Sequence, residues 1–254
     1  MTSSTRDGRV EGAGRSRMAS RWARLLPDAP LLPNLPAASA VVERFRNLAV
    51  QVEEKMPPEP ASGTVLAVTG ADSGSGKTFT SLNLALSISR GGERRVLIVE
   101  ADVWQPKFHN YFEIYPEAPG LIQVLEQNLS VKDVTMSALS SRGMEIDLVA
   151  AGGRGLIGGI LGVSKLEQSL EQMRSLYEVI VIDSPPHSLA TGRVLASIAD
   201  RLLIVVRAGQ TRRSALEEVL GGLEPSKLVG FVLNYTRNSK EPYSHYYGNY
   251  AGSR

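Results

Sequence analysis

Six short apolar runs stand out along the chain: "TVLAVTG" from Thr64, "RRVLIVEAD" from Arg94, "EIDLVAAG" from Glu145, "EVIVIDSPP" from Glu178, "RLLIVVRAG" from Arg201 and "LVGFVLNY" from Leu228. Each has the length and β-branched content of a strand buried on both faces, and helical segments separate most of them. This alternation predicts an α/β fold: a mostly parallel, doubly wound sheet with helices on both faces. Ligands bind at the carboxyl ends of the strands in such folds, so the functional residues are expected just after these runs. Upstream, Val42, Phe45, Leu48, Ala49 and Val52 recur at helical spacing within "AVVERFRNLAVQVEEKM", a helix that Pro57 and Pro58 stop.

Composition narrows the picture around that core. With 254 residues, 43% of them hydrophobic, the chain can bury one sizeable core. Residues 1–40 are rich in Ser, Gly, Arg and Pro and read as a disordered basic arm, within which "MASRWARLL" is a candidate amphipathic turn for a membrane surface. The predicted organisation is that arm, a nucleotide-type domain over residues 41–237 and a tyrosine-rich tail over 238–254. A formal net charge of +2 without a basic stripe in the folded part speaks against nucleic acid. Absence of cysteine excludes disulfides, thiolate metal sites and iron–sulfur clusters, and no run approaches the length of a membrane span. A soluble, cytoplasmic protein is expected.

The chemistry concentrates after the first run, in "TGADSGSGKTF". The segment Ala71, Asp72, Ser73, Gly74, Ser75, Gly76, Lys77, Thr78 fits a phosphate-binding loop with Ala in its first position, and it extends into a helix through Phe79. Gly74 and Gly76 let backbone N–H groups curl round a phosphate, Lys77 supplies a point charge and Thr78 offers a hydroxyl to Mg²⁺. "VIVIDSPP" ends its strand in Asp183, where a nucleoside triphosphatase places a carboxylate for Mg²⁺ or its water. "VLIVEADVWQP" adds Glu100 and Asp102, whose alternation along an extended chain can send both carboxylates to one side, for metal binding or base catalysis. Thr78, Glu100, Asp102 and Asp183 are thus the candidate metal set, and Lys77 joins the three acids as candidate catalytic groups. His109, His187 and His245 lack metal-ligand spacing.

The last twelve residues, "YSHYYGNYAGSR", carry Tyr243, Tyr246, Tyr247 and Tyr250. Together with "GSGKT", "VEADVWQP", "VIDSPP" and "VVRAGQTRRSAL", this cluster resembles the bacterial tyrosine kinases that regulate capsule and exopolysaccharide export, a branch of the deviant Walker ATPases with the P-loop NTPase fold. The resemblance covers Val42 to the end. It implies an ATP- and Mg²⁺-dependent autokinase whose substrate is those four tyrosines, entering the site of a neighbouring subunit. A phenol with pKa near 10 is a poor nucleophile at neutral pH, so a base is needed, and Asp102 or Glu100 is the candidate. The resemblance also implies an adenine contact at Asn234 and a separate inner-membrane polysaccharide co-polymerase as activator. It implies a tyrosine phosphatase, a homo-oligomer formed through the Glu43/Arg46 helix, and recruitment to the inner face of the cell membrane. Tyr235, at a strand end, reads as a packing residue, and Thr211 as a helix N-cap.

Several positions depart from that family. Glu100 stands where Asp is usual, Trp104 and Gln105 replace an arginine-bearing stretch, Ala49 replaces the second arginine of the oligomer motif, and "AAGGRGLIGGILGVSK" replaces a Pro-Pro-Asn-Pro segment. Two alternatives stay open on the residues: a catalytically weak ATP-binding scaffold of the export machinery, and a partition- or division-type ATPase switch. The second would carry a signature lysine where this chain has Asp72.

Overall fold

In the computed structural model the described residues are 21–57, 62–90, 94–115, 118–139, 145–153 and 162–236. The elements run β1 Arg21–Leu25, α1 Ala40–Glu53, β2 Thr64–Thr69, α2 Lys77–Ile88, β3 Val96–Glu100, β4 Phe112–Glu113, α3 Leu121–Gln127 and α4 Val131–Val134. They continue β5 Met136–Leu139, β6 Glu145–Val149, α5 Gly162–Leu176, β7 Val179–Asp183, α6 Ala190–Ile198, β8 Arg201–Arg207, α7 Arg213–Gly221 and β9 Leu228–Asn234. The strands form one sheet in the order β4-β1-β5-β6-β3-β7-β2-β8-β9. Among the described residues, only the β1–β4 and β5–β6 pairings are antiparallel. The mostly parallel, helix-covered sheet expected from the apolar runs is therefore borne out, and all six runs became strands.

Pairing of non-consecutive strands leaves both faces to be covered. Along β2, Leu66 and Val68 enter the core beneath α1 and α2, whereas Val65 and Ala67 enter the core beneath α5 and α6. That period-two alternation explains why the strand reads as uninterrupted hydrophobic sequence. β2, β7 and β3 lie side by side at the centre, so the loops that follow them share one edge.

The expectation of a disordered arm over residues 1–40 fails from Arg21 onward; residues 1–20 lie outside the described residues. β1 pairs in parallel with β5 and antiparallel with β4, and Leu31 and Leu32 are buried. A backbone amide at Leu32 donates to Asn83 Oδ1 on α2 at 2.8 Å, inside the protein. The prolines were expected to prevent helix, and the stretch forms no α-helix, but Leu32–Asn34 makes one short 3-10 turn with Pro33 inside it. The prolines do not prevent the segment from docking, and burying a leucine contributes about 1.5–3 kcal/mol. The candidate membrane-surface turn overlaps β1. Among the described residues, no helix is long and apolar enough to cross a membrane.

One smaller reading also changes. The N-cap of α7 is Arg212, and the Thr211 hydroxyl instead accepts from the Arg207 amide at 3.0 Å. Glu43 and Arg46, the residues expected to form a homo-oligomer, both lie on α1, where they pair with each other at 3.1 Å.

Candidate functional site

The loop between β2 and α2 is shaped by two left-handed glycines, Gly74 at φ 75° and Gly76 at φ 92°. Residues with a side chain rarely adopt that region. Gly76 has a second constraint, since a Cβ there would lie 2.0 Å from Asn234 Nδ2. Asn234, the last residue of β9, uses that same amide to donate to the Ser75 carbonyl at 3.1 Å. From the end of β8, Arg207 Nη1 donates to the Gly74 carbonyl at 3.2 Å. The loop is thus braced by the carboxyl ends of two strands.

Lys77 opens α2 and is buried, with Nζ donating to the Asp72 carbonyl at 3.2 Å across the loop. Burial pulls its pKa down, and the charges of Asp183 and Asp102 oppose that. At the end of β7, Asp183 is 1% exposed and accepts from the Ser81 hydroxyl at 3.1 Å. Burial pushes its carboxyl up to about 7; the Thr78 hydroxyl bond opposes the rise, and the nearby Glu100 charge adds to it.

Glu100 departs from its expected role. Its Oε1 accepts from the Lys107 and Phe108 amides, the latter at 2.7 Å, and Oε2 accepts from the Ala151 amide at 3.0 Å. The side chain is 3% exposed, and burial raises its pKa despite those amides. A buried carboxylate with both oxygens engaged by backbone donors ties the loops at residues 107, 108 and 151 to the end of β3, a structural anchoring that the expected role as base or metal ligand did not include. Among the described residues, no three of His, Cys, Asp and Glu gather in a metal-holding group. Glu100 and Asp102, expected to act together, make separate sets of hydrogen bonds. Asp102 lies past the strand end, half-exposed, accepting from the Gln105 amide at 3.2 Å.

One buried polar atom has no partner here: the Ser75 hydroxyl, deep in the phosphate loop, finds no hydrogen bond among the described residues. An orphan donor inside a ring of backbone amides, beside a buried lysine, fits an anionic phosphate. Mg²⁺ fits at Thr78 and Asp183, which offer a hydroxyl and a carboxylate of the hard-oxygen type it prefers.

Ser81, Arg207 and Tyr235 escaped the sequence reading as site residues. Ser81 lies four residues after Lys77 on one helix, so it shares that face. Arg207 ends a strand, where the fold places ligand contacts. Tyr235 is 57% exposed at φ 57°, with the Arg207 guanidinium 4.3 Å over its ring, so it is less a packing residue than a lip of the site. Tyr243, Tyr246, Tyr247 and Tyr250 lie outside the described residues.

Comparison with known proteins decides the family. The AAA domain family profile matches residues 63–224. Tyrosine-protein kinase CpsD of Streptococcus agalactiae is 28% identical over 189 residues, covering 73% of this chain and 81% of that protein. The chain belongs to the AAA domain family, and within it to the bacterial tyrosine kinases. Tyrosine-protein kinase ptk of Acinetobacter johnsonii is 27% identical over 84% of this chain, which spans only 29% of that longer relative. The kinase domain of Escherichia coli tyrosine kinase ETK superposes with a TM-score of 0.67 at 25% identity, over 80% of each chain. The resemblance stated from the motifs is borne out.

Proposed function

We propose that the protein is an ATP-dependent tyrosine autokinase that phosphorylates its own C-terminal cluster, with Tyr243, Tyr246, Tyr247 and Tyr250 as acceptors. The observation that carries this reading is where the described chain ends, next to the phosphate loop. Asn234 and Tyr235, which precede that cluster in the sequence, rest against Ser75 and Gly76 of the phosphate loop.

Chemically, an acceptor phenol oxygen attacks the γ-phosphorus of ATP, the bond from that phosphorus to the ADP oxygen breaks, and the phenolic proton passes to a base. Asp102 is the base, because Glu100 is engaged by backbone amides and Asp183 is buried against α2. Lys77 and the loop amides hold the β and γ oxygens, and residues Ala71 to Phe79 form the nucleotide cradle, with Asn234 toward the adenine. Mg²⁺ at Thr78 and Asp183 would supply charge neutralisation on the transferring group.

The wider assignment rests on the same family. A separate inner-membrane polysaccharide co-polymerase activates the kinase at the inner face of the membrane, the tail enters a neighbouring subunit in a homo-oligomer, and a phosphatase resets it. Each added phosphate brings about −1.5 to −2 charges, which loosens a packed assembly. The α1 pair of Glu43 and Arg46 would have to exchange partners on assembly.

Phosphotyrosine mapping by mass spectrometry with ATP and Mg²⁺, with and without the co-polymerase's cytoplasmic peptide, tests this. Phosphate on the tail that vanishes in Lys77→Met supports it. Bound ATP with unmodified tyrosines in both conditions sinks it in favour of the scaffold.

A further inference from the structure

Trp104 stands 49% exposed on the loop after β3, a large aromatic surface left in water beside a reaction centre. The loop beneath it is not loose. Val103 is fully buried against Ile122 and Ala151, and the Gln105 amide closes a turn onto Asp102. On the other side, Ser73 of the phosphate loop donates its hydroxyl to Gln105 Oε1 at 3.4 Å. Trp104 therefore stands on a loop tied to the proposed base and to the phosphate loop, with its neighbours on both sides held and its own ring half exposed.

The sheet order separates the two flanks of the site. β3 lies on one side of β2 and β9 on the other, so Trp104 borders the flank opposite Asn234. A nucleotide base lying toward Asn234 leaves the Trp104 flank for the second substrate. That substrate presents a phenol ring, and its oxygen must reach Asp102, two residues before Trp104. Aromatic rings pair in offset or edge-to-face arrangements at about 4.5–7 Å.

Resting on the autokinase reading, we infer that Trp104 is a specificity residue that receives the acceptor tyrosine ring, delivered by residues 238–254 of a second copy, and sets it beside Asp102. The chain has two tryptophans, so a Trp22→Phe background leaves Trp104 as the sole indole reporter.

The full-length chain in that background is titrated with a synthetic peptide of residues 238–254, in the presence of a non-hydrolysable ATP analogue and Mg²⁺. Saturable quenching or shift of Trp104 emission is expected with the tyrosine peptide and not with a version carrying leucine at Tyr243, Tyr246, Tyr247 and Tyr250. In phosphotransfer assays Trp104→Ala raises KM for the peptide about three- to tenfold with KM for ATP unmoved, and Trp104→Phe recovers most of the loss. Equal responses to the two peptides, no response to either, or a rise in KM for ATP in place of the peptide would each overturn the inference. Should the parent chain transfer no phosphate even with the co-polymerase's cytoplasmic peptide present, the autokinase reading falls, while the emission titration still decides whether Trp104 receives tyrosine.

Discussion

The hydroxyl of Ser81, one helical turn beyond Lys77, donates to Oδ1 of Asp183 at 3.1 Å, joining α2 to the end of β7 across 102 residues of sequence. The bond lies in a buried setting, where an ionised carboxylate is costly unless hydrogen-bonded. Ser81→Ala leaves Asp183 leaning on Thr78 and is expected to lower phosphotransfer several-fold, with a stability loss of about 1–3 kcal/mol. Steady-state kinetics and denaturant unfolding on the same variant check both.

Asp183 also sets a pH dependence. Its folded pKa of about 7 lies above the unfolded value near 4, so the folded state holds the extra proton between these limits. The associated stability is fully present below about pH 4 and is lost as pH rises through about 7. Thermal melts of the nucleotide-free protein from pH 5 to 8 should show this decline, and it should flatten in Asp183→Asn. With Mg²⁺ held at Asp183 as proposed, the ionised form is the one that binds Mg²⁺·ATP, so binding should strengthen over the same range.

Glu100 and Asp102 should part company under mutation. Glu100→Ala orphans three backbone donors and is expected to cost about 3 kcal/mol or more in unfolding free energy. Asp102→Asn touches one exposed turn, keeps the midpoint of unfolding, and abolishes transfer. Equal stability losses in the two variants would reverse the assignment of anchor and base.

Gly76→Ala combines a left-handed backbone with a contact too close to Asn234. Nucleotide binding by calorimetry should disappear, with a stability loss of about 1–3 kcal/mol. Asn234→Ala relieves only the contact, so the double variant should remain unable to bind.

Asn83→Ala tests the N-terminal segment. It removes the acceptor of the buried Leu32 amide, and a drop in melting temperature of several degrees is expected. An unchanged melt would mean that β1 and Leu31 hold the segment without help from α2.

Local chemistry was enough to read much of this protein from its sequence. Apolar runs of strand length, each followed by a helix, determine a parallel α/β sheet. Glycines, lysine and threonine at fixed spacing after the first run determine a phosphate loop, because that loop is a contiguous backbone device. Asp183 was placed by the same strand-end rule. The tertiary structure alone decided what depends on distant partners. Whether Glu100 faces substrate or backbone turns on amides at residues 107, 108 and 151, which no local pattern reveals. Whether a proline-rich arm stays in solvent turns on β5, β4 and Asn83 being there to receive it. Composition measures what a segment can do alone, and burial depends on the surface it meets.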